Sequence, residues 1–95
     1  MAKKTSSANK GKKRVTFTLE ADSGKKISIA GSFNNWEEGK KVLKEKDGVY
    51  KVTMLLAPGT YEYKFCVDGE WMVDPNNPDF EANDLGTLNS VLHVK

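Results

Sequence analysis

The sequence predicts an all-β fold, a sandwich or barrel of short antiparallel strands. Three observations predict it. Turn dipeptides recur at short intervals, as Asp47-Gly48, Pro58-Gly59 and Asp68-Gly69, between runs rich in Val, Tyr, Thr and Phe. The clearest of those runs, Thr60–Val67, alternates: Tyr61, Tyr63, Phe65 and Val67 share one face, and Glu62, Lys64 and Cys66 the other. No segment of helical length carries apolar residues at a 3.6-residue period.

In chain order, the first strand is expected over Arg14–Leu19, with Val15, Phe17 and Leu19 inward, and the second over Lys26–Ala30, with Ile27 and Ile29 inward. Lys41–Lys44 and Val49–Leu56 flank the Asp47-Gly48 turn as a hairpin. Trp71–Val73 is a short strand, and Ser90–Val94 closes the fold. Asp74-Pro75-Asn76-Asn77-Pro78 reads as an irregular loop, because two prolines remove donors and fix φ. Phe80–Asp84 has room for one loose helical turn at most.

Ninety-five residues make one domain with one modest core. The formal charge of +2 conceals an asymmetry. Lys3, Lys4, Lys10, Lys12, Lys13 and Arg14 carry no acid among them, whereas residues 15–95 hold nine basic and thirteen acidic side chains, a net of −4. Met1 to Lys13 lacks an apolar cluster and reads as a disordered basic leader, ahead of a folded unit spanning residues 14–95. A nucleic-acid arm is the functional alternative for that leader, but a solvated leader is preferred, so no nucleic-acid partner is expected. No stretch approaches membrane-spanning length, and no membrane partner is expected. Cys66 is the single cysteine, which fits a reducing, cytoplasmic setting. With one cysteine and one histidine, His93, zinc coordination and Ser-His or Cys-His catalysis have almost no residues to use, and no cofactor or metal is expected.

The informative residues are Trp36 and Trp71, each placed beside turn residues rather than within an alternating apolar run. A flat indole at a strand end suits stacking on the apolar C–H face of a sugar. Lys64, on the polar face of its strand with Glu62 near by, and Asn89, in the loop after Asp84, are hydrogen-bonding candidates for the sugar's hydroxyl edge. Thr87 adds a hydroxyl, and Leu85 is a small apolar wedge. Each has a plainer reading: a half-buried sandwich tryptophan, an ion-paired lysine, a turn asparagine. Their joint presence points to binding. The acids Glu37, Glu38, Asp47, Asp68 and Glu81 read as turn formers or solvated surface rather than as the paired carboxylates a glycosidase needs across a cleft.

The ordered motifs Ile27-Ser-Ile-Ala-Gly-Ser-Phe-Asn-Asn-Trp36, Asp47-Gly-Val-Tyr50, Pro58-Gly-Thr-Tyr-Glu-Tyr-Lys-Phe65, Val67-Asp-Gly-Glu-Trp71, Asp74-Pro75 and Gly86-Thr-Leu-Asn89 carry a further signal. Together they resemble the glycogen-binding module of the AMP-activated protein kinase beta subunit, one of the family-48 carbohydrate-binding modules. The resemblance runs from about Val15 to Val94. It implies an immunoglobulin-like antiparallel β-sandwich that binds α-1,4-glucans, glycogen- or starch-like, and does no chemistry. It also matches the family's sugar-contacting positions to Trp36, Lys64, Trp71, Leu85, Thr87 and Asn89. The alternative it leaves is an adaptor that docks an enzyme or kinase partner, with vestigial sugar binding.

Overall fold

The computed structural model describes residues 11–95. The leader expected over Met1 to Lys13 lies almost wholly outside them. Among the described residues, nine strands follow in order: β1 (Lys13–Glu20), β2 (Ile27–Gly31), β3 (Lys41–Val42), β4 (Lys44–Lys46), β5 (Val49–Leu56), β6 (Gly59–Val67), β7 (Glu70–Met72), β8 (Phe80–Ala82) and β9 (Leu88–Val94). They form two antiparallel sheets packed as a sandwich. One has the order β1-β5-β4, and the other β3-β2-β6-β9-β8, with β7 also paired to β6.

Alternation decides which side chains fill the space between the sheets. Phe17 and Leu19 from β1 meet Ile27 and Ile29 from β2 and Tyr63 and Phe65 from β6, all essentially buried. Burying side chains of this size contributes about 1.5–3 kcal/mol each. The rings of Phe17 and Tyr63 pack edge-on, with centroids 5.0 Å apart. Buried phenols also pin loops. Tyr50 Oη donates to the Asp22 carbonyl (2.7 Å) and accepts from the Lys25 N–H (3.0 Å), which closes the β1–β2 connection. Tyr63 Oη donates to Asp74 Oδ2 (2.7 Å) and accepts from Asn77 Nδ2 (3.1 Å). The irregular Asp74–Pro78 loop is thereby tied to the core, and burial pushes the Tyr63 phenol well above the usual tyrosine range.

The two Asp-Gly turns share a geometry. Asp47 and Gly48 have φ of 55° and 81°, and Asp68 and Gly69 have 49° and 89°. Positive φ at both central residues matches the twist of a tight hairpin. They join β4 to β5 and β6 to β7.

Three expectations need correction. The segment expected as one strand before Asp47-Gly48 is divided: Lys41 and Val42 pair with β2 in one sheet, and Lys44–Lys46 pair with β5 in the other. Leu43, 3% exposed, marks the crossover, its side chain in the core and its N–H bonded to the Ile27 carbonyl. Phe80–Asp84 makes no helical turn; Phe80–Ala82 is β8, an edge strand on β9. Its residues are exposed, so it lacked the buried alternation that identifies a strand in sequence. Asn89 lies within β9 rather than in the preceding loop, paired in register with Glu81.

Candidate carbohydrate-binding site

The outer face of the larger sheet follows from register. Cys66 of β6 lies opposite Ser28 on one side and Trp71 on the other, Lys64 lies opposite Ala30, and Glu62 opposite Val91. Side chains directly opposite in antiparallel strands share a face, so Glu62, Lys64, Cys66 and Trp71 all point away from the core. Asn89, two residues before Val91 on β9, joins them. Two loops border this face, one after β2 and one after β8.

The first loop positions Trp36. A short 3-10 turn over Ser32–Asn34 follows β2 directly. Asn34 Oδ1 accepts from the Gly31 N–H (3.0 Å), and the Trp36 N–H donates to the Gly31 carbonyl (2.9 Å). Ser32 Oγ accepts from the Glu62 N–H (3.1 Å), extending the pairing with β6 past the end of β2. Asn35 and Trp36 both stand in the left-handed region, at φ of 57° and 59°. For non-glycine residues that conformation costs about 1–3 kcal/mol each and persists only where surrounding contacts impose it. Gly31 is required by space: an added Cβ would lie 2.4 Å from the Glu62 carbonyl oxygen and 2.9 Å from Tyr63 Cβ. Beyond Trp36, the Cys66 thiol donates to Glu38 Oε2 (3.5 Å), so Glu38, exposed as expected, also ties the loop to β6. Burial, then the hydrogen bond and negative charge of Glu38, push the Cys66 thiol up, consistent with an inert structural cysteine.

The second loop is organised by Asn83, which the sequence reading passed over. Asn83 Oδ1 accepts from the N–H groups of Leu85 (3.0 Å) and Thr87 (3.1 Å). Asn83 Nδ2 donates to Thr87 Oγ1 (2.7 Å) and to Asn89 Oδ1 (3.1 Å). All four hydrogen-bonding positions of this amide are filled. The signal for it was present, since an asparagine three residues before a glycine is a common side-chain-closed turn. Gly86 takes φ of 81° there, and the Leu85 side chain is left 89% exposed at the tip.

All six candidate residues, Trp36, Lys64, Trp71, Leu85, Thr87 and Asn89, line one open cleft of about 490 Å³. Trp36 and Trp71 are 38% and 43% exposed, so neither is a core tryptophan. Lys64 makes no ion pair with its same-face neighbour Glu62; its Nζ donates to Thr87 Oγ1 (2.9 Å). Asn89 is only 7% exposed, and its Nδ2 donates to Glu62 Oε1 (2.9 Å). Its amide is thus half committed within the protein, with one N–H and one lone pair left. Ser32, Glu62, Asn83 and Asp84 complete the lining. Among the described residues, no group of three or more His, Cys, Asp or Glu side chains could hold a metal ion.

Two exposed indoles beside a polar edge are the surface that a sugar-recognising domain presents. A family model described as the glycogen recognition site of AMP-activated protein kinase matches residues 13–95. The chain belongs to this family. The mouse 5'-AMP-activated protein kinase subunit beta-2 is 38% identical over 82 residues, covering 86% of this chain and 30% of the subunit. Protein PTST homolog 2, chloroplastic, from Arabidopsis thaliana is 42% identical over 65 residues, 68% of this chain and 12% of that protein. Among solved structures, the crystal structure of a maltogenic amylase from S. marinus superposes with a TM-score of 0.77 at 26% identity, covering 90% of this chain and 14% of the amylase. This member of the glycogen-recognition family therefore spans less than a third of each of these relatives.

Proposed function

We propose that this domain is a non-catalytic module that binds α-1,4-glucan chains of the glycogen or starch type. The observation that carries the reading is the cleft itself, where two exposed indoles stand beside Lys64, Thr87 and Asn89. The indoles stack on the C–H faces of successive glucose units, Leu85 adds apolar contact from the loop tip, and the polar groups meet the hydroxyls. An α-1,4 chain is curved, which suits platforms carried on two different elements better than a flat row would. Each sugar hydroxyl exchanges water for protein partners, for a net gain of about 0.5–1.5 kcal/mol per bond. Weak to moderate affinity follows.

A titration followed by tryptophan fluorescence tests the reading. Maltoheptaose is expected to change the emission saturably, and cellohexaose to leave it unchanged at the same concentrations. Equal responses to the two would overturn the α-glucan assignment.

A protein partner belongs to the same proposal. Relatives of this chain are named as subunits of a kinase, which supports a module that brings an enzyme or kinase to its glucan. The single cysteine, buried and free, supports a reducing, cytoplasmic setting. Among the described residues, no helix is long and apolar enough to cross a membrane.

A further inference from the structure

The hydrogen bonds lining the cleft converge on two acceptors, Thr87 Oγ1 and Glu62 Oε1, and the second of these singles out Glu62. Lys64, which can only donate, hydrogen-bonds to Thr87 Oγ1. Asn83 Nδ2 donates to the same oxygen and also to Asn89 Oδ1. Asn89 Nδ2 then donates to Glu62 Oε1. The series ends on a carboxylate, which can only accept. Two backbone N–H groups on Asn83 Oδ1 and a carboxylate on Asn89 Nδ2 set the orientation of both amides.

The pattern left for a ligand follows. Thr87 Oγ1 accepts twice, so its own proton is free to donate. Lys64 keeps two N–H donors. The lone pairs of Asn83 are filled by backbone N–H groups. Within this network the strong acceptor with unused capacity is the second oxygen of Glu62, on a half-buried side chain that lines the cleft. Among the described residues, no cation lies in ion-pair contact with it.

We propose that Glu62 is a ligand-binding residue of this cleft. Its free carboxylate oxygen accepts a hydrogen bond from a sugar hydroxyl while Lys64 and Thr87 donate to neighbouring ones, which fixes the hydrogen-bond direction of the bound glucose. This rests on the glucan reading above. A sugar hydroxyl both donates and accepts, so Lys64 and Thr87 as donors would satisfy only half of a diol without an acceptor beside them. Charge-assisted bonds are about twice as strong as neutral ones, which makes this acceptor a principal polar contact.

Calorimetric titration of the full chain with maltoheptaose, on the wild type, Glu62→Gln and Glu62→Ala, tests it. Glutamine keeps an oxygen for Asn89 and nearly the same shape, but turns the cleft-facing acceptor into an amide donor or a weaker acceptor. The expected result is a roughly five- to tenfold loss of affinity in Glu62→Gln, with an unchanged melting midpoint. Glu62→Ala, which also loses the bond to Asn89, is expected to bind at least as weakly. Wild-type binding with Glu62→Gln within twofold of it would overturn the role of Glu62 and leave the glucan reading standing. A wild type that binds no maltoheptaose would overturn both.

Discussion

The outward faces of the two sheets are built from the same alternation yet have different characters. On the three-stranded sheet, Thr16, Lys51 and Thr53 stand exposed and meet only across strands, as in the 2.9 Å contact between Thr16 Oγ1 and Thr53 Oγ1. On the larger sheet the corresponding positions hold Glu62, Lys64, Cys66 and Trp71, and side chains from neighbouring loops bond to them: Glu38 to Cys66 and Thr87 to Lys64. What separates the two is the loops. A pleated strand presents every second residue to the outside, but a flat face cannot surround a ligand. It becomes a cleft only where other segments rise beside it and hold their own side chains over it.

The largest effect that would break or sharpen this contrast concerns the indoles. Trp36→Ala and Trp71→Ala are each expected to weaken binding of maltoheptaose by about 30- to 100-fold, which corresponds to about 2–3 kcal/mol of lost apolar contact. Because both rings are well exposed in the free protein, the stability cost measured by urea denaturation should be about 1 kcal/mol or less. A large loss of stability with intact binding would make them structural and erase the difference between the faces.

An intermediate effect is expected from the loop that builds the cleft. Asn83→Ala removes four hydrogen bonds, three of which hold Leu85 and Thr87 in place and one of which reaches Asn89. Binding should fall about fivefold, and faster amide exchange should appear at the N–H groups of Leu85 and Thr87. The accompanying stability loss is about 1–2 kcal/mol. Unchanged exchange at those two amides would show that the loop holds its shape without Asn83.

The smallest effect belongs to the other face. Thr16→Ala and Thr53→Ala should each change stability by about 0.5 kcal/mol or less and leave the maltoheptaose titration unmoved. Any clear loss of glucan affinity in either variant would mean that the site is not confined to the larger sheet.

Much of this was legible from residue order. The alternation in Thr60–Val67 sorts Tyr63 and Phe65 to the interior and Lys64 to the exterior before any fold is known, because a strand has no third direction. The Asp-Gly pairs mark their hairpins for an equally local reason, the positive φ that both residues tolerate. Other features were hidden. β8 is short and exposed, so its membership in a sheet comes from β9 and not from its own pattern. Leu43 looks like any strand residue, and only the closure of two sheets around one core turns its neighbours to opposite sides of the sandwich.

The sequence by itself determined the all-β class and the inward rows and nominated the six candidate residues, since local sterics and ordered motifs act within a few residues of chain. Tertiary structure alone decided that those residues meet. Lys64 could have paired with Glu62, two positions away; it bonds instead to Thr87, 23 positions away, and Glu62 takes Asn89 at a separation of 27. A side chain's partner depends on which strands lie side by side and which loops overhang them. That is set by the burial of the whole apolar interior, which no short stretch of sequence contains.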